Sequence, residues 1–154
     1  MTLVGKKAPA FSLLDQEGKM QSLSDFLGKP LLLYFYPKDM TPGCTIEARE
    51  FKKSFKALRE AGLQVVGVSK DSVTSHKKFC DKEGLPFPLL SDMEGEVIER
   101  YGVWKKKTLY GRTFMGVSRE SFLIDKHGNV VKHYEKVKPG EHAKEVLVDV
   151  KTLN

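Results

Sequence analysis

The chain carries two cysteines, Cys44 and Cys80, and four histidines, His76, His127, His133 and His142. Thiols can ligate metal, form disulfides or attack as thiolates. The first use finds no support, because no histidine falls at ligand spacing from either cysteine and there is no Cys-x-x-Cys. Neither a metal nor a cofactor is expected, and the histidines read as surface or packing residues. Two cysteines are also too few for a disulfide-stapled secreted domain. A free cysteine is commonly a buried structural residue, so a nucleophilic role has to be argued from its surroundings. For Cys44 those surroundings are specific. Pro37, Thr41 and Cys44 stand as Pro-x-x-x-Thr-x-x-Cys, between an apolar run and a helical pattern. A cysteine in the first turn of a helix faces unpaired backbone N–H groups and the positive end of the helix dipole, which favour its thiolate.

The elements that must hold this arrangement follow from patterning. Leu31–Tyr36 is uninterrupted apolar and aromatic sequence, as in a strand buried on both faces at the centre of a sheet. Pro37 ends it, since proline cannot donate to a ladder. Lys38–Gly43 is a loop. A helix is expected from about Cys44 to Ala61, with Cys44, Ala48, Phe51, Phe55 and Leu58 forming its apolar stripe. Leu63–Val68 reads as a second buried strand. Asp71-Ser72 offers a cap for a helix over Val73–Glu83, which places Cys80 beside Phe79 on its buried side.

Before this unit, Ala10–Leu14 and Met20–Leu23 suggest a hairpin, and Ser24–Gly28 a helical turn. After it come a short strand at Leu89–Ser91 and a helix within Glu94–Tyr101. Gly102–Gly116 reads as a long irregular basic and aromatic loop, a kind of segment that is often functional. Its Trp104, Tyr110 and Phe114 suit either packing or a pocket rim. Glu120–Asp125 and Asn129–Tyr134 form a hairpin. A terminal helix over Glu141–Thr152 would bury Ala143, Val146, Leu147, Val150 and Leu153. The expected architecture is a single α/β domain over residues 1–154, with a mixed central sheet and helices on both faces. A thioredoxin-like fold fits this order.

Composition narrows the function further. Hydrophobic residues make up 40% of the 154 and charged residues 30%, as in a soluble globular protein. The formal charge of +6 could suggest nucleic acid. Its lysines, however, are interleaved with acids, and the one dense run, Lys105-Lys106-Lys107, lies in no nucleic-acid motif. No run is long enough to span a membrane. The opening Met-Thr-Leu-Val-Gly-Lys-Lys has no apolar signal core, so a cytoplasmic location is expected.

Tyr34-Phe35-Tyr36-Pro37-Lys38-Asp39, Thr41-Pro42-Gly43-Cys44-Thr45 and Glu47-Ala48 together resemble the active-site signature of the peroxiredoxins, in the branch of bacterioferritin comigratory protein and PrxQ. Arg119 with Ser121–Asp125 resembles its second signature, and Gly5–Phe11 and Asp15–Gly18 also fit. The resemblance spans nearly the whole chain and implies the peroxiredoxin form of the thioredoxin-like fold. It implies a thiol peroxidase acting on hydrogen peroxide and small alkyl hydroperoxides. Cys44 would be the peroxidatic nucleophile. Thr41, Arg119 and the backbone N–H groups of Gly43 and Cys44 would hold the peroxide, and Pro37 would shield the sulfur.

Many members of the branch place a resolving cysteine five residues after the peroxidatic one, where this chain has Arg49. Others place it in a later helix, and Cys80 fits that arrangement. The implied cycle runs through a Cys44–Cys80 disulfide reduced by thioredoxin or a similar dithiol. It would require the first turn around Cys44, and part of the Cys80 helix, to unwind. The alternatives are a one-cysteine peroxidase recycled by an external thiol with Cys80 structural, a disulfide exchanger, and an inactive thioredoxin-like adaptor. Glu47 suits either orienting Arg119 or pairing with a lysine. A monomer is expected, as is common in the branch.

Overall fold

The computed structural model describes residues 2–153. A hairpin of β1 (Ser12–Leu14) and β2 (Met20–Ser22) leads into α1 (Leu23–Phe26). A strand–helix–strand unit follows, made of β3 (Leu31–Phe35), α2 (Pro42–Glu60) and β4 (Gln64–Ser69). Then come α3 (Val73–Glu83), β5 (Leu89–Ser91) and α4 (Glu96–Arg100). The chain closes with β6 (Trp104–Leu109), β7 (Arg112–Val117), β8 (Glu120–Ile124), β9 (Val130–Tyr134) and α5 (His142–Lys151).

Seven strands form one mixed sheet in the order β2-β1-β5-β4-β3-β8-β9. β3 lies inside it, parallel to β4 and antiparallel to β8, and all five of its residues are buried. Side chains alternate between the faces of a strand, so each half of the apolar run fills a different core. Leu32, Tyr34 and Tyr36 pack with Ala48, Phe51 and Leu58 of α2, Phe79 of α3, and Val146 and Val150 of α5. Leu31, Leu33 and Phe35 pack on the opposite face with Val97 and Ile98 of α4, Tyr101 and Phe122. The expected helices on both faces are present.

α2 begins with Pro42 in its first position, where a missing N–H costs nothing. Its buried residues are Cys44, Glu47, Ala48, Phe51 and Leu58. Phe51 stacks on Tyr34 at 4.9 Å between ring centroids, and truncating such a buried ring to alanine costs about 3–5 kcal/mol. α3 starts at Ser72, whose side chain accepts from the Ser75 N–H, and stops at Gly84 in the left-handed conformation.

Two expectations fail. Residues 102–116 are not an irregular loop but contain most of a separate two-stranded ribbon, β6–β7. Its turn is Tyr110-Gly111, both at positive φ (53° and 76°), the geometry of a two-residue hairpin turn. The lysine run hides the strand, because a ribbon with little buried area needs no apolar alternation. Leu153 is also exposed rather than part of the α5 stripe, since the helix stops at Lys151. No helix among the described residues is long and apolar enough to cross a membrane.

Candidate active site

Cys44 is the third residue of α2, across the loop that follows β3, and is 2% exposed. Thr41 holds the N-cap position, but its hydroxyl does not cap the helix. It donates instead to the Lys38 carbonyl at 2.7 Å, which tightens the loop. The N–H groups of Gly43 and Cys44 therefore have no acceptor among the described residues, consistent with the unpaired start of any helix. Pro37 is half-buried just past β3.

Arg119 reaches this turn from the start of β8, which lies next to β3. Its Nη2 donates to Cys44 Sγ at 3.5 Å and its Nη1 to Glu47 Oε1 at 2.8 Å. Glu47 sits one helical turn after Cys44, on the same face. Burial works against the Arg119 charge, but Glu47 and Cys44 outweigh it and hold the guanidinium pKa above its ordinary value. Burial pushes the Glu47 carboxyl up to about 7 against the pull of Arg119, and its Oε2 has no partner. Gly43 leaves room for this packing: a Cβ there would lie 2.9 Å from Arg119 Nη2 and make the guanidinium shift.

Cys80 lies on the buried side of α3 and is 6% exposed. It lines the same core cluster as Cys44, and both are free thiols. Its charged neighbours differ from those of Cys44. Burial pushes its pKa up to about 12, and Asp39 and Asp81 add to the shift. Arg49 ties α2 to α3: its Nε donates to Glu83 Oε1 at 2.6 Å.

Two groups near the site escaped sequence reasoning or were left open by it. Glu47 is resolved as the partner of Arg119, a role its helical spacing from Cys44 already allowed. Lys107 was invisible inside a presumed loop. Its Nζ donates to the Val117 carbonyl at 2.8 Å. Burial lowers its pKa, Arg119 pushes the same way, and Cys44 opposes them, so β6 contributes a cation that feels the Cys44 sulfur. Two histidines expected to be ordinary are wholly buried in polar contacts: His76 meets Asp39, and His142 meets Ser121 and Glu145.

A helix-start cysteine under an arginine clamp is an anion-stabilising arrangement, and the chain as a whole is similar to known proteins. Residues 4–133 match the model of the AhpC/TSA family. The chain belongs to that family. Peroxiredoxin Bcp of Bacillus subtilis is 45% identical over 151 residues, 98% of this chain and 96% of that one. A structure of Xanthomonas campestris peroxiredoxin Q superposes with a TM-score of 0.90 at 39% identity, covering 98% of both chains. Two single cysteine-to-serine mutants of that protein each superpose with a TM-score of 0.88 at 39% identity, covering 93% and 94% of this chain and 90% and 92% of theirs. The protein is thus a peroxiredoxin of the bacterioferritin comigratory protein/PrxQ branch, with the thioredoxin-like fold, and as a peroxiredoxin it is a peroxidase.

Proposed function

We propose that this peroxiredoxin reduces hydrogen peroxide and small alkyl hydroperoxides through Cys44, and that Cys80 resolves the product. The observation that carries the first half is the Arg119 guanidinium, shared between Cys44 Sγ and Glu47 above a helix start with free N–H groups. Both features put positive charge where the thiolate carries its negative charge. The Cys44 thiolate attacks one peroxide oxygen; the S–O bond forms as the O–O bond breaks. The departing hydroxide or alkoxide takes up a proton and leaves as water or alcohol. The Gly43 and Cys44 N–H groups and Arg119 would hold the peroxide oxygens in line and stabilise their developing charge, while the Thr41 hydroxyl, which donates to the Lys38 carbonyl, would accept from the peroxide O–H. Pro37 would help keep water from the sulfur. Cys44 leaves the step as a sulfenic acid.

In the second half, Cys80 gives up its proton and attacks Cys44 Sγ. The S–S bond forms, the S–O bond breaks, and water departs. A dithiol of the thioredoxin type then reduces the disulfide by exchange. Two facts support Cys80. It lines the same core cluster as Cys44, and the two cysteines replaced by serine in Xanthomonas campestris peroxiredoxin Q are spaced as Cys44 and Cys80 are. One observation favours the alternative, in which an external thiol resolves Cys44. Cys80 is buried with its pKa pushed up to about 12, so it is a poor nucleophile while α3 is closed. Resolution by Cys80 therefore requires local opening.

Peroxide turnover coupled to a thioredoxin system tests both halves. Cys44→Ser should reduce turnover to background; retained turnover would overturn the peroxidatic assignment. Cys80→Ser should still consume one equivalent of peroxide but lose thioredoxin-coupled turnover. Wild-type turnover in Cys80→Ser would establish the one-cysteine cycle instead.

A further inference from the structure

Behind the Cys44 loop lies a buried polar network that the peroxide chemistry does not use. Its centre is Asp39, in the loop between β3 and α2 and 4% exposed. Asp39 Oδ1 accepts from the Tyr36 hydroxyl at 2.6 Å, and Oδ2 accepts from the Ser75 hydroxyl at 2.8 Å. The Asp39 N–H donates to Asp71 Oδ2 at 2.9 Å, and the Ser69 hydroxyl donates to the same oxygen at 2.6 Å. His76 Nδ1 lies 2.7 Å from Asp39 Oδ2, and its Nε2 lies 3.0 Å from the Leu90 carbonyl. A carbonyl can only accept, so Nε2 carries a proton, and a second proton must lie in the Nδ1–Asp39 contact. Ligand atoms of Asp39, Asp71 and His76 come close enough to suggest a cation site. However, both Asp39 oxygens, Asp71 Oδ2 and both His76 nitrogens already have protein partners. The cluster is closed on itself.

Its place in the fold gives it a different use. Asp39 stands five residues before Cys44. Ser75 and His76 belong to α3, with His76 four residues, one helical turn, before Cys80 on the same buried side. The loop that leads into the Cys44 helix and the helix that carries Cys80 are thus joined here by a buried pair. At the other end of α3 the links are Arg49 to Glu83 and the Lys52 Nζ bond to the Glu83 carbonyl at 2.8 Å. Their donors, Arg49 and Lys52, are exposed, although the Glu83 side chain is only 8% exposed, and a bond open to water on one side contributes less than a fully buried one. Breaking the buried contact leaves Asp39 with an unmatched acceptor inside the core, which is far more costly. α3 cannot unwind back to residue 76, or swing from the loop, without breaking it.

We propose that Asp39, Ser75 and His76 form a latch that sets how often α3 opens, and thereby how fast Cys80 reaches the Cys44 sulfenic acid. These are positioning residues: they touch neither sulfur, and they act by holding the closed state in which Cys44 meets peroxide. The latch rests on Cys80 being the resolving cysteine. It makes the protein choose between two fates of the same intermediate. In the closed state the sulfenic acid can meet a second peroxide and become a sulfinic acid, whereas opening delivers it to the disulfide.

The experiment uses the full chain with its reduced thiols. One equivalent of hydrogen peroxide is mixed rapidly, the reaction is quenched by alkylation, and the Cys44–Cys80 disulfide is counted by mass spectrometry. A second series adds excess peroxide with a dithiol and counts Cys44 sulfinic acid. His76→Ala should form the disulfide roughly tenfold faster, as expected for losing one charge-assisted bond from the closed state. Ser75→Ala removes a single bond at a half-buried position and should show a smaller gain; it keeps the test alive if His76→Ala does not fold. Both should consume the first peroxide at the wild-type rate and yield less sulfinic acid. Ser75→Thr keeps the hydroxyl and should restore wild-type behaviour. Unchanged disulfide rates in both variants, or a loss confined to the first step, would overturn the latch while leaving Cys80 as resolver. A wild type that forms no Cys44–Cys80 disulfide would overturn the resolving assignment and the latch together.

Discussion

Cys44 and Cys80 are both buried, both free and both on helices packed against the same face of the sheet, yet the charged groups beside them differ. Cys44 occupies the first turn of α2 under Arg119. Cys80 lies late in α3, where burial comes first and two aspartates add to it, so that its thiol is held protonated. Burial alone therefore says nothing about reactivity. What separates the two thiols is the sign of the fixed charge that burial leaves beside them, because a low-dielectric site magnifies either sign.

The largest break in this contrast is Arg119→Ala. It removes the guanidinium that donates to Cys44, and losing one preorganised charge donor typically costs about 10²–10³ in rate. Second-order peroxide consumption measured by stopped flow should fall by that order, while Cys80 alkylation in the reduced protein stays as it was. Gly43→Ala should follow, with a loss of roughly tenfold, of the order expected for a small misplacement of a reacting group. The helical backbone at Gly43 accepts alanine, but the new Cβ would meet Arg119 Nη2. The defect should appear in the peroxide step with thermal stability little changed; a wild-type rate would show that the guanidinium can move aside freely.

Glu47→Gln sharpens the contrast through pH. The Glu47 pKa is raised by folding from the usual carboxylate range to about 7. Between those values the folded protein binds more protons at this group than the unfolded one, so its contribution to stability falls as pH rises. The shift corresponds to about 3 kcal/mol at most across that window. Urea unfolding of wild type at pH 5 and pH 7.5 should show this loss, and Glu47→Gln should flatten it. Equal slopes in the two proteins would remove Glu47 as the source. The smallest effect is expected from Lys107→Gln. Lys107 is anchored to the Val117 carbonyl, so the change should lower peroxide turnover only a few-fold, in the range of a partly screened charge. The same variant should leave Cys80 untouched.

Much of the site was legible because it is local. Pro37, Thr41, Gly43 and Cys44 occupy one strand-to-helix connection, and the strand and helix each announce themselves by period. Arg119 was reachable only through resemblance, since nothing in its immediate neighbours fixes a distance to residue 44. Glu47 was visible by spacing but ambiguous in partner. Lys107 could not be seen. Its ribbon is mostly exposed, with Tyr110 95% exposed at the tip, so no burial pattern marks the strands. The Asp39–His76 contact was equally hidden, because a histidine on an apolar helix face reads as packing until the residue opposite it is known.

The sequence by itself determined the buried strand, the helix that follows it, the cysteine at their junction and, by its signatures, the family. These depend on residues close together in the chain, where propensity, proline and periodicity act directly. The tertiary structure alone decided which charges stand beside each thiol. β8 lies antiparallel to β3 and so delivers Arg119 to the head of α2, while α3 packs where Asp39 faces both His76 and Cys80. Electrostatics inside a core depends on distance through space and on the exclusion of water, and neither is encoded in the neighbours of a single residue.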